Sequence, residues 1–490
     1  MNLKMIQKLT YFSVATIGMS VLMARPIRAQ QQPDPQQAQQ PSAPIPAIRS
    51  PLAGAADDGD ATQDSQTLTP DTRSLTGVED LSLGTLPETH SYWQPHLAIT
   101  GTVDSNPQYS TASSDWSTWT SIIGGVDIHH VSGVSDLYVS YTGGGMFSNG
   151  GQAQNGIIQQ LGLKDKFTFR RSVFSVFEEL GYLPESSFGF AGTDGTGLPG
   201  TGGVGTGLGG GFTPGQTILT PRGQSLSSST AVELDTKLTP RTSITLVGDY
   251  SLLHYFDEPL ANYGDAGFQA GYNYQATRKD TIAVSYSFSA FRYSNVDQSI
   301  NINTVQASYG RRVTGRLAFQ IAAGPQFVSS TSAITASTTA PVSTASSVSA
   351  LYWTLNTSLQ YQLRRASLAA TYNHGVSGGS GLLAGAETDV VSASVGSQVS
   401  RKLNVGWNVG YSRNKGFIVE GAPAQQDFSY WFTGVNVARP LNRTLDVFVN
   451  YQLQYQNQNT VGCVGAACSP NVIRNTIGFG VNFHKQPIPF

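Results

Sequence analysis

Charge is what this sequence has least of. Lys, Arg, Asp and Glu together make up 12% of the 490 residues, and the formal net charge is −2. An ordinary soluble domain carries about twice that share. Without clustered Lys and Arg there is nothing to displace counterions from phosphates, so a nucleic-acid partner is excluded. Cysteine is almost as scarce. Cys463 and Cys468 stand in the Gly-rich "VGCVGAACSP", a spacing that suits a small local disulfide in an exported chain, with two free thiols as the alternative. Two soft ligands do not complete a tetrahedral metal shell, and no metal or other cofactor is expected. Long apolar runs are missing too. Beyond the N-terminus no stretch reaches about eighteen apolar residues, the length a spanning helix needs. An exported chain of this kind enters a bilayer as a closed barrel or not at all.

The N-terminus supplies the export signal. In residues 1–29, Lys4 and Lys8 precede and flank the start of a mostly apolar run over 9–23, and cleavage after Ala24 or Ala29 would follow. Residues 30–90 are rich in Pro, Gln, Ala and Asp and have little to bury. They are expected to be disordered in the periplasm, where they could bind a periplasmic partner. The semi-apolar piece "SLTGVEDLSLGTLPE" inside this tail has the composition to dock, without indicating where.

What is plentiful is Gly, at 53 residues, and aromatics, at 10%. From Tyr92 onward they fall into segments that alternate strictly. "LYWTLNTSLQYQL" puts Leu351, Trp353, Leu355, Leu359, Tyr361 and Leu363 on one face and Asn356, Gln360 and Gln362 on the other. "GFQAGYNYQAT" sets Phe268, Tyr272 and Tyr274 against Gln269, Asn273 and Gln275. "LNVGWNVGY" and "LDVFVNYQLQY" repeat the design, with Asn404 and Asn408, then Asn450, Gln452 and Gln454, on the polar side. Period two is the signature of a strand between unlike surroundings.

About eighteen such segments can be counted over 91–490, with sixteen to eighteen admissible. Their connections alternate between tight turns ("HHVSG", "LKDKF", "LTPRT", "ATRKD", "GRRVTG", "LRRAS", "SRKLN", "ARPLNR") and long breaks such as 184–226 and 329–349. Stacked sandwiches use shorter strands and do not alternate connection lengths through a whole chain. The pattern therefore predicts an all-β, transmembrane, up-and-down antiparallel barrel with both termini at the short-turn rim.

The export signal, the amphipathic strands, the basic short turns and the aromatic final residue resemble bacterial outer-membrane β-barrel proteins, and "ITGTVDSNPQYS" is similar to the opening hairpin of porin-like barrels. The resemblance covers roughly 92–490 and implies outer-membrane lipid and the barrel-assembly machinery as partners. It also implies that Phe479, Val481, Phe483 and Phe490 carry the assembly signal, although Pro487 and Pro489 set Phe490 apart from the strand. Oligomeric state is left open.

A barrel of this size leaves a lumen. The residues expected to line it are Asn273, Gln275, Asn356, Gln360, Asn404, Asn408, Asn450 and Gln452, neutral groups that donate and accept hydrogen bonds. One hairpin adds charge: Glu233, Asp235, Lys237 and Asp249 share a face, and the three carboxylates form a candidate cation-favouring patch. Catalytic motifs do not hold up. "GVSGG" around Ser377 lies in a Gly/Ser-rich loop without the strand-turn-helix elbow a nucleophile needs. "GTGLPG" at 195–200 has no strand before it or helix after it, and the adjacent His129 and His130 point to opposite faces. No enzymatic activity is expected. The sequence points to passive passage of small hydrophilic solutes; the alternative is the outer-membrane barrel of an export or exopolysaccharide-assembly system, with the tail as its partner-binding segment.

Overall fold

The computed structural model describes residues 74–77 and 90–490 apart from 108–115, 151–154, 185–223, 257–259, 261, 295–297, 335–343, 379–382, 418–425 and 461–470. Its strands are β1 (Tyr92–Asp104), β2 (Ser117–Val131), β3 (Ser135–Gly150), β4 (Gly156–Thr168), β5 (Ser172–Leu183), β6 (Ser225–Thr239), β7 (Thr242–Tyr255), β8 (Tyr263–Gln275) and β9 (Asp280–Tyr293). They continue as β10 (Gln298–Thr314), β11 (Leu317–Ile334), β12 (Thr344–Gln362), β13 (Ala366–Ser377), β14 (Ala386–Ser400), β15 (Leu403–Gly416), β16 (Gln426–Pro440), β17 (Leu445–Thr460), β18 (Asn471–His484) and the two-residue β19 (Ile488–Pro489). Each long strand pairs antiparallel with its neighbours in sequence. β1 pairs with β18 as well as β2, from His96↔His484 to Asp104↔Thr476, so the eighteen long strands form one closed up-and-down cylinder.

Exposure shows which face looks outward. On β18, Phe479 and Phe483 are 59% and 47% exposed, and on β12 Leu351 and Trp353 are 65% and 52% exposed. Their register partners continue the same file, Val481 opposite Ile99 on one side and Val447 on the other. In water such a belt of Leu, Val, Ile, Phe, Trp and Tyr would be an aggregation surface. Around a transmembrane barrel it is the hydrocarbon-facing wall. Glu178 on β5 interrupts the belt, where it accepts hydrogen bonds from the Ser228 and Thr230 hydroxyls of β6.

Connection lengths alternate as expected, but three boundaries move. The long break expected at 329–349 shrinks to 335–343, because β11 runs to Ile334 and β12 begins at Thr344; "GRRVTG" continues β10 as far as Thr314; and one short turn is displaced outright. "LKDKF" is not a turn: Lys164, Asp165 and Lys166 lie within β4, and the turn is formed by 169–171. Alternating charges read as a loop, yet here Lys164 and Lys166 face inward, opposite Tyr138 and Asp136, while Asp165 takes the outer face and accepts a hydrogen bond from Ser135.

The inner wall is less uniformly polar than the sequence suggests. Trp119, Ile123, Met146, Ile158 and Leu183 form one buried inward cluster, and Phe177, Ala231 and Val247 another. On β16, Phe428, Tyr430 and Phe432 are buried on the inner face while Trp431 is exposed on the outer one. Both faces of that strand are aromatic, so its alternation is invisible to a polar/apolar reading.

The seam between β1 and β18 is locked near the long-loop rim by an ion pair. Arg474 Nη2 lies 2.6 Å and Nε 2.8 Å from Asp104 Oδ2, with the two side chains 2% and 0% exposed. Beyond β18 the chain leaves the ladder over 485–487 and then returns: Ile488 and Pro489 pair with Trp93 and Tyr92. Phe490 donates its backbone N–H to Ser91 O (3.4 Å) and stacks on His130 at 5.8 Å between ring centres. The prolines thus displace the terminal aromatic from β18 without removing it from the seam.

Candidate functional site: the lumen wall

Register assigns the faces. The sequence-selected residues Asn273 and Gln275 of β8, Asn356 and Gln360 of β12, Asn404 and Asn408 of β15, and Asn450 and Gln452 of β17 all alternate with outward-facing aromatic or aliphatic neighbours, so all lie on the inner face. They are spread around the circumference and do not converge on a single point. Asn273 is the most enclosed; its amide nitrogen donates to Thr245 Oγ1 on β7 (3.0 Å) and to a second hydroxyl described below.

The charged hairpin also faces inward. Ala231 pairs with Asp249, Glu233 with Val247, and Lys237 with Ser243, which puts Glu233, Asp235, Lys237 and Asp249 on the lumen side with Asp249 diagonal to Glu233. The structure adds carboxylates that the sequence reading did not single out. Asp265 of β8, buried at 6% exposure, is close enough to Asp249 for the two charges to interact, and Glu179 lies on the inner face opposite Ser229. Asp265 begins an alternating segment in "NYGDAGF", where an acid beside two glycines looks like loop text. Cations stand among these acids too: Lys166 and Lys237 both act on Asp235.

Residues 74–77, "SLTG", lie inside the barrel. They form a β-turn in which Gly77 N–H donates to Ser74 O (3.3 Å), with Ser at the first position and Gly at the fourth, as such turns favour. Gln269 Nε2 donates to Thr76 O (2.7 Å), Asn273 Nδ2 to Thr76 Oγ1 (2.8 Å), and Gln320 Nε2 to Leu75 O (3.3 Å). The wall contacts are a few residues from the short-turn ends of β8, β10 and β11. The first four residues of the semi-apolar piece therefore dock, on Asn273, which was expected to line the lumen, and on Gln269 and Gln320; its remainder lies outside the described residues.

Near the opposite rim the wall closes in from another direction. Leu253, Tyr255, Leu260, Tyr263, Tyr293, Ile300, Ile302 and Val328 form a buried cluster against which Ala384 and Phe417 pack. Tyr293 Oη donates to Gly378 O (2.8 Å) and Gln298 Nε2 to Ala384 O (2.8 Å), so the described ends of the β13–β14 connection are held to the inner wall. Gly385 sits there at φ 84°, a left-handed conformation in which a Cβ would also collide with Ile300.

The remaining motifs take structural places. Ser377 ends β13 and its hydroxyl meets Thr388 Oγ1 at 2.7 Å. His129 faces inward and bonds Asp136 Oδ1 (2.7 Å), whereas His130 faces outward beneath Phe490. Cys463, Cys468 and 195–200 lie outside the described residues.

No protein-family model and no curated protein sequence matches the chain. Solved structures that resemble it include Acinetobacter baumannii OccAB3 (9% identity, 81% of this chain and 99% of that chain, TM-score 0.39). Pseudomonas aeruginosa OpdQ (11% identity, 81% and 98%, TM-score 0.38) and Pseudomonas aeruginosa OccK2 in complex with glucuronate (10% identity, 82% and 98%, TM-score 0.38) are similar to the same degree. At this level the likeness bears on neither substrate nor mechanism.

Proposed function

We propose that the chain is an outer-membrane, porin-like channel for passive passage of small hydrophilic solutes, with both termini in the periplasm. The observation that carries this reading is the closed cylinder of eighteen long strands with an apolar outer belt and inward files of Asn and Gln. Barrels of about sixteen to eighteen strands are wide enough to enclose an aqueous path, and neutral amides on its wall suit uncharged, hydroxyl-rich solutes. Glu233, Asp235 and Asp249, together with Asp265, give one sector of that wall a negative field that favours cations. Liposome swelling with neutral sugars of increasing size tests the passage, and reversal potentials in a salt gradient test the field. The Glu233→Gln/Asp235→Asn/Asp249→Asn variant should lose part of the cation preference of the native channel; an unchanged reversal potential would remove the acidic sector from the account.

A further inference from the structure

We infer that the inner wall carries a peptide-backbone site whose resident ligand is the chain's own segment 74–77, and that the passage is narrowed whenever this segment is seated. The inference rests on the channel reading above and deepens it. Three wall amides serve the segment: Gln269 and Gln320 donate to two consecutive backbone carbonyls, and Asn273 to the intervening threonine hydroxyl. Amide NH2 groups aimed at successive carbonyls recognise an extended or turning peptide of any similar sequence.

Shape supplies the second observation, independent of those bonds. The wall is hollowed by glycine where the two central side chains pass. A Cβ at Gly271 would occupy the place of the Thr76 side chain, and one at Gly310 would stand 2.7 Å from Leu75 Cδ2. Leu75 is left 8% exposed and Thr76 2%, which is deep burial for residues of a Pro/Gln-rich tail lodged on the wall of an aqueous path. On its far side the segment touches the acidic sector, with Ser74 beside Asp235 and Gly77 against Glu233. The internal turn between Ser74 and Gly77 preforms the bound shape and lowers the ordering cost of seating. The ligand class is thus a short, neutral peptide with one small aliphatic and one hydroxyl side chain. Its seating covers part of the sector that sets the cation preference, so pore width and ion selectivity should change together.

The test uses the full chain in planar bilayers, with folding of each variant checked by its heat-dependent gel migration. Two variants evict the segment from opposite sides: Leu75→Asp/Thr76→Ala changes the ligand, and Gly271→Val fills its seat. Both should conduct at least twofold better than the native chain and show stronger cation preference. The acetylated, amidated tetrapeptide Ser-Leu-Thr-Gly, added to both chambers, should then block the Leu75→Asp/Thr76→Ala channel and leave Gly271→Val untouched. Equal conductance of the native chain and both variants would overturn the inference while leaving the channel intact. Opening without peptide block in the ligand variant would overturn the peptide-backbone site. Silence of all three folded proteins would instead remove the channel reading on which the inference stands.

Discussion

The ion pair at the seam allows one perturbation to be worked through in magnitude. Arg474 reaches Asp104 Oδ2 with two nitrogens, at 2.6 and 2.8 Å, while Asp104 Oδ1 accepts the Asn106 N–H at 3.0 Å. Both charges are out of contact with bulk water. Replacing Arg474 by Met strands a buried carboxylate, and breaking such a pair from one side typically costs about 3–5 kcal/mol. At about 1.4 kcal/mol per decade, that lowers the folded-to-unfolded ratio by roughly two to three and a half orders of magnitude. The penalty comes from leaving one charge behind, because the gross attraction of the intact pair is largely offset by its desolvation. Removing both charges should therefore restore most of the loss, and Asp104→Leu/Arg474→Met is expected within about 1 kcal/mol of the native chain or above it. The assay is reversible urea unfolding from lipid vesicles, followed by tryptophan fluorescence, on the native chain, the two single variants and the double. An Arg474→Met single variant as stable as the native chain would refute the reasoning, as would a double variant no better than the worse single.

Other outcomes follow from the same architecture. Ile477→Arg, which puts a guanidinium on the lipid face of β18 near mid-strand, should cost about 2–4 kcal/mol in the same vesicle assay. Gln452→Arg, on the inner face of the neighbouring strand, should change stability by about 0.5 kcal/mol or less and shift ion selectivity instead; equal costs at the two sites would contradict the assignment of faces. Deleting Phe490 removes its stacking on His130 and should cost the refolded barrel no more than about 1.5 kcal/mol. If the terminal aromatic is also the assembly signal, the same deletion lowers the amount of folded barrel recovered from cell envelopes, and unchanged recovery would rule that role out.

How far the sequence could be read depended on contrast between the two faces. Along "LYWTLNTSLQYQL" the outer file is Leu, Trp and Tyr and the inner one Asn and Gln, so period two was visible and the strand was found, although it starts earlier, at Thr344, where Ser, Thr and Ala give no contrast and read as a break. The same reading gave the closed up-and-down barrel, because turn lengths alternate around it. Contrast fails in "QDFSYWFTGVNV", where Tyr430 and Phe432 face inward and Trp431 outward, and in "LKDKF", where charge on both faces imitates a turn. Tertiary partners were out of reach for a different reason. Arg474 and Asp104 are 370 positions apart, and nothing local marks either as half of a pair. Residues 74–77 carried one legible cue, Ser and Gly at the ends of a four-residue turn, but their seat depends on Gly271, Gly310 and three amides drawn from distant strands.

The central claim is that the eighteen-strand cylinder holds a continuous aqueous path. Single-channel recording of the refolded full chain in a planar bilayer tests it most directly. Discrete, ohmic conductance steps, larger in Leu75→Asp/Thr76→Ala than in the native chain, are the expected result. A folded, inserted barrel that stays electrically silent in both forms would contradict the account.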